Sequence, residues 1–143
     1  MSAQKTMLRV CDLMVEKVHT AQPQDDLGVV RDRMVEYQVR HVPVVDEDGD
    51  LVGLVSHRDL LRRSLVEQAD VPAFLEETLL ARTLVRDVMV RDVETVTPDA
   101  DLGEAARLML ENKYGCLPVV EGQRLVGILT EADFVRRLAE EGR

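Results

Sequence analysis

The stretch "LVGLVSHRDLLRR" at residues 51–63 returns 74 positions later as "LVGILTEADFVRR" at residues 125–137. A glycine (Gly53, Gly127), a hydroxyl (Ser56, Thr130) and an aspartate three residues on (Asp59, Asp133) stay fixed while their neighbours change. The recurrence extends backwards. "VCDLMVEKVHTAQPQDDLG" at residues 10–28 matches "VRDVMVRDVETVTPDADLG" at residues 85–103 with an offset of 75. The match runs on through "RHVPVV" and "GCLPVV", after which a turn one residue shorter reduces the offset to 74. About twenty of roughly 55 aligned positions are identical, which is the signature of an internal repeat. Two copies fit a packed pair better than an extended array.

Each copy follows one order. A short β-prone stretch (residues 18–20; 93–97) leads to a proline-marked turn. A helix follows, with apolar residues at i, i+3 and i+7: Leu27, Val30 and Met34, or Leu102, Ala105 and Met109. Asp101 with Glu104 three residues later reads as a capping box. Two strands come next, residues 42–45 and 51–55, or 117–120 and 125–129, joined by "DEDGD" or the tighter "EGQR". Pro43 and Pro118 cannot donate to a strand ladder, so they are expected at a strand start or on an edge. A closing amphipathic helix carries Leu60, Leu61 and Leu65, or Phe134, Val135 and Leu138.

The repeat unit is therefore β-α-β-β-α. One such unit is near the lower limit of independent stability, and two packed sheet to sheet would share a core. The reading is an α/β (α+β) fold: repeat 1 over residues 8–65, a helical linker over 66–83, and repeat 2 over 84–141. The linker is predicted to be ordered. Asp70 and Pro72 look like a helix start, and Phe74, Leu75, Leu79 and Leu80 form an apolar stripe that needs a partner surface.

Composition limits the function. The chain has 143 residues, 45% of them apolar and 31% charged, in the range of a globular protein with a real core. No apolar run reaches the roughly 18–20 residues of a membrane span, and the first ten residues lack a signal-peptide core. Cys11 and Cys116 are expected to be free thiols in a cytoplasmic protein. The formal net charge of −9 repels a phosphate backbone, and 3% aromatics without tryptophan leave few stacking platforms. Both argue against nucleic acid as a partner.

The pattern "DLM…V.T..P…L…A…M…LPVV…G.LVGI(L/V)(S/T)..D" resembles the cystathionine-β-synthase (CBS) domain, and two in tandem resemble a Bateman module. The likeness runs from Leu8 to about Glu140. It implies a regulatory module that binds an adenosine nucleotide (AMP, ADP, ATP or an S-adenosylmethionine-like ligand) in clefts between the copies. That nucleotide would be a regulatory ligand, with no cofactor required. Family modules also commonly pair into flat homodimers and act on a regulated enzyme or transporter. The other reading is an interaction or dimerisation module whose clefts are vestigial.

From spacing alone, Ser56 with Asp59 and Thr130 with Asp133 are helix caps, a hydroxyl at the N-cap and a carboxylate facing the helix dipole. The use of Asp instead of the longer Glu predicts a carboxylate that reaches the N-cap backbone less well and stays free for a ribose diol. The exposed helix N-terminus also offers N–H groups to phosphate. The resemblance implies that these aspartates bind ribose, and capping and binding are compatible. Basic residues gather at the first copy's motif, Arg40 and His41 ahead of "VPVV" and His57 and Arg58 beside Asp59, where the second copy has Gly115, Cys116, Glu131 and Ala132. These are phosphate-contact candidates. Carried over from the family, Asp133 and Thr130 would face Val15, Glu16, Val39 and Arg40. Asp59 and Ser56 would face Val90, Arg91, Tyr114 and Gly115.

Catalytic signatures are missing. The sequence has no phosphate-binding glycine loop, no H-E-x-x-H and no C-x-x-C. A calcium loop opening at Asp46 would need Gly and Glu where Leu51 and His57 stand, so "DEDGD" reads as an acidic hairpin turn. The histidines His19, His41 and His57 have no metal-ligand spacing. The sequence predicts a non-enzyme without a metal.

Overall fold

The structure is a computed structural model that describes residues 8–67 and 73–142. The helix start read at Asp70 and Pro72, and the side chain of Leu65, lie outside the described residues. In each copy a capped helix leads into a hairpin and then a second helix. Helix α1 (Leu27–Tyr37) begins at Asp26, whose carboxylate accepts from the Val29 N–H at 3.1 Å. It buries Leu27, Val30 and Met34 and stops where Gln38 turns left-handed at φ 54°. Its counterpart among the described elements, over Leu102–Asn112, starts at Asp101, which accepts from the Glu104 N–H at 3.0 Å. That helix buries Leu102, Ala105 and Met109 and ends at the left-handed Lys113. The i, i+3, i+7 spacing is the buried face in both.

Strands β1 (His41–Val45) and β2 (Leu51–Ser56) form one antiparallel hairpin. Strands β3 (Cys116–Glu121) and β4 (Arg124–Thr130) form the other. The fold is thus mixed α/β with two small antiparallel sheets. Both hairpins carry an irregularity at the same place: Val44 opposes Gly53 while Val45 opposes Leu51, and Val119 opposes Gly127 while Val120 opposes Leu125. The stretches expected as strands near residues 18–20 and 93–97 shrink to single parallel bridges, Ala21 to Val44 and Val96 to Val119. Ala21 donates to the Pro43 carbonyl and accepts from the Val45 N–H, and the chain then leaves the sheet for its turn. The prolines sit at mid-strand. Their missing N–H falls on the outer side of the hairpin, where the two bridge bonds use the proline carbonyl and the N–H two residues on (Val45, Val120), so no ladder bond is lost.

The closing helices are α2 (His57–Glu67) and α5 (Glu131–Glu141). Between the copies lies α3 (Ala73–Arg82), and α4 is the helix over Leu102–Asn112. Helix α3 packs on α1 and α2 through buried Leu80, while Phe74 and Leu75 of the expected stripe remain exposed.

The chain divides into two compact units that cut across the sequence repeats. One is His19–Val93; the other joins residues 8–18 to residues 94–142. Each unit takes its opening segment from the other copy. Val10 and Leu13, first-copy residues, pack with Leu102, Leu117, Val119 and Leu129. Val85 and Met89, second-copy residues, pack with Leu27, Val30, Val42 and Val55.

Candidate functional site

The fixed glycines are explained by this exchange. A Cβ at Gly53 would lie 2.6 Å from the Met89 sulfur, and one at Gly127 would lie 2.8 Å from the Met14 sulfur. Both glycines are buried, so a larger residue at either place would have to push its methionine aside. The same segments then continue as edge bridges. Val90 exchanges both backbone hydrogen bonds with Leu54, and Val15 exchanges both with Ile128. Val15 and Val90 therefore lie two residues upstream of the motif hydroxyls, across the strand, with side chains 40% and 49% exposed.

The hydroxyl and the aspartate close on one another in both copies. The Asp59 Oδ2 accepts from the Ser56 N–H at 2.8 Å and from the Ser56 hydroxyl at 2.9 Å, while the Asp59 N–H donates to Ser56 Oγ at 3.2 Å. Asp133 Oδ2 accepts from the Thr130 N–H at 2.8 Å and from its hydroxyl at 3.0 Å, completing a reciprocal capping box. The expectation that Asp reaches the N-cap backbone poorly is corrected here. A tight turn brings its short side chain to full hydrogen-bond distance, leaving one oxygen of each carboxylate outside the cap. The two remaining oxygens differ. Asp59 Oδ1 has no partner among the described residues, whereas Asp133 Oδ1 accepts from Arg136 at 3.0 Å.

The other candidates sort by unit. Around Ser56 the Arg40 carbonyl accepts the His57 N–H at 2.7 Å, and His41 pairs with Ser56 across the hairpin. Val39 packs on the core beneath, Arg40 and Arg58 are exposed, and Arg91 follows Val90 in the same unit. Around Thr130 the Gly115 carbonyl accepts the Glu131 N–H at 3.3 Å, Tyr114 packs on the second core, and exposed Glu16 follows Val15. Val39 and Arg40, grouped with Asp133 by the resemblance, thus belong to the compact unit that contains Ser56. Tyr114 and Gly115 belong to the unit that contains Thr130. The sequence reading missed three positions: Met14, Met89 and Arg136. The methionines left a signal, since they recur 75 apart in "DLM" and "DVM".

Among the described residues both cysteines are free. Cys116, at the start of β3, is buried and its thiol is pushed up to about 12 by desolvation. It is an inert packing group at neutral pH. Because the unfolded thiol ionises at a lower pH than the folded one, its contribution to stability is complete below about pH 9 and fades as pH rises towards 12.

The CBS domain model matches residues 10–66 and 85–140, and this chain belongs to the CBS-domain family. It is 37% identical to a Vibrio cholerae protein described as an acetoin utilization protein (AcuB), covering 95% of this chain and 93% of that one with a TM-score of 0.81. It is 33% identical to CBSX2 of Arabidopsis thaliana, solved in complex with AMP, over 94% and 98% of the two chains with a TM-score of 0.78. It is also 33% identical to inosine-5'-monophosphate dehydrogenase of Methanocaldococcus jannaschii over 127 residues, 88% of this chain and 23% of the enzyme. The chain spans less than half the length of the first curated relatives it matches. No helix among the described residues is long and apolar enough to cross a membrane.

Proposed function

We propose that this chain is a regulatory, non-catalytic module that senses an adenosine nucleotide through its two hydroxyl–aspartate turns. The observation that carries the reading is the Asp59 carboxylate, which caps its helix with one oxygen and keeps the other unpartnered among the described residues. A carboxylate oxygen at a partly exposed turn is an acceptor for a ribose hydroxyl. Val90 offers an apolar surface for the base in that unit, and Arg58, Arg40 and Arg91 offer cations, with His41 a ring N–H donor, for phosphate. In the other unit Asp133 and Thr130 stand with Val15, whose open side chain is the counterpart of Val90. The AMP bound to CBSX2, similar over almost the whole chain, supports the ligand class. The regulated partner is an enzyme or transporter in the cytoplasm; a stretch like this chain occurs within a dehydrogenase.

The test is calorimetry and thermal shift with AMP, ADP, ATP, S-adenosylmethionine and adenosine. A ligand at 100 times its dissociation constant raises stability by about 2.7 kcal/mol. Arg58→Ala is expected to weaken AMP much more than adenosine, because the second motif has Ala132 at this place and only a phosphate would miss the guanidinium. Equal losses for both ligands would remove Arg58 from the phosphate site, and no shift with any of the five would remove the function.

A second reading, self-association, is favoured by apolar side chains left open at equivalent places in both copies. Val35 and Leu110 are 73% and 79% exposed on α1 and α4, and Leu61 and Val135 are exposed on α2 and α5. One core cannot cover both members of the adjacent pairs Leu60–Leu61 and Phe134–Val135, since neighbouring helical positions point about 100° apart. Repeated exposed apolar positions fit a closed two-fold interface between copies of the chain. Light scattering at micromolar concentration is expected to give twice the 16.1 kDa of the chain. A mass of one chain, with and without nucleotide, rules the homodimer out.

A further inference from the structure

Both copies place an arginine three residues after the motif aspartate, Arg62 after Asp59 and Arg136 after Asp133. On a helix this spacing puts the two side chains on one face, within reach of each other. Only the second pair forms. Arg136 donates to Asp133 Oδ1 at 3.0 Å, while Arg62 has no ion-pair partner among the described residues. The Asp133 side chain is 5% exposed and all of its described bonds are internal, two to Thr130 on one oxygen and one to Arg136 on the other. The Arg136 side chain is 62% exposed, so it can swing into water without a buried vacancy being left behind.

We propose that Arg136 is a built-in occupant of the second turn. It holds the carboxylate oxygen that a ribose hydroxyl would otherwise take, so that adenosine binds at Asp133 by displacing it. This rests on the ribose reading of the two turns. The sites are then ranked by the chain itself. The Asp59 turn, with its second oxygen open, fills first, and the Asp133 turn responds at higher ligand concentration. Nearby charge sharpens the difference: His57 and Arg58 precede Asp59, whereas Glu131 and Ala132 precede Asp133. Released from its carboxylate, Arg136 carries its charge unpaired on α5, next to exposed Val135.

Adenosine is the probe, because its lack of phosphate separates displacement from charge attraction. The Ser56 and Thr130 amides both donate to their motif carboxylates, and in a nuclear magnetic resonance titration each reports its own turn. In the wild type the Ser56 resonance is expected to reach half-shift at a lower adenosine concentration than the Thr130 resonance. In Arg136→Gln the Thr130 midpoint should fall roughly two- to fivefold, the range of an exposed ion pair, with Ser56 unmoved. Arg62→Gln should change neither. A Thr130 midpoint that stays or rises in Arg136→Gln overturns the displacement while leaving the ribose reading intact. If neither amide moves with adenosine, both fall together.

Discussion

Val10→Asp is expected to destabilise the protein by about 4 kcal/mol or more, and to do so in the half of the fold that does not contain the rest of its own repeat. Val10 is fully buried among Leu102, Leu117 and Leu129. Its replacement removes apolar packing and puts an unpaired carboxyl where no described donor replaces water, the kind of change behind the largest single-mutant losses. Amide hydrogen exchange would show strands Cys116–Glu121 and Arg124–Thr130 losing protection first. Val85→Asp is the mirror experiment, since Val85 is fully buried with Leu27, Val30 and Val55. Its first losses should fall in His41–Val45 and Leu51–Ser56. If Val10→Asp instead opens the first hairpin before the second, the exchange of opening segments is not what holds the cores.

Asp59→Ala and Asp133→Ala carry the largest expected effect on binding. Each removes a carboxylate that would accept from ribose, and a hydrogen bond to a charged group contributes roughly 1.5–3 kcal/mol. One lost bond is about one to two orders of magnitude in affinity. The same variants also lose the capping box, at about 0.5–2 kcal/mol of stability. Asp→Asn at each position helps to separate the two, keeping side-chain length and an oxygen while removing the charge. Wild-type affinity together with a lower melting temperature would make these aspartates caps and nothing more. Weaker binding at a nearly unchanged melting temperature in the Asn variants is the expected result.

Much of this architecture is legible in the repeat. Leu27, Val30 and Met34, and Leu102, Ala105 and Met109, are buried as their spacing demands, and both hairpins form where the apolar runs lie. The hydroxyl and the aspartate are legible as a pair because a capping turn needs those groups three residues apart. Other features depend on tertiary context. The exchange of opening segments is hidden because a repeat in sequence reads as a contiguous body, and "VCDLM" would suit either hairpin equally well. The short β-stretches look like strands by composition, yet Ala21 and Val96 meet a neighbour for only one bridge before the chain turns away. Arg62 and Arg136 have the same spacing from their aspartates, so nothing local says that only one of them pairs.

The exchanged segments also bear on how such a chain could arise. A lone repeat carrying residues 10–66 would present Gly53 with no methionine above it and a core missing its Val85, because both come from the other copy. It could complete itself only by trading opening segments with a second molecule. Duplication and fusion of that gene would turn a reciprocal trade between two molecules into one within a single chain, after which the halves could diverge without ever separating. The unequal turns at Asp59 and Asp133 are what such a lineage is free to accumulate, since an obligate twin need not remain identical.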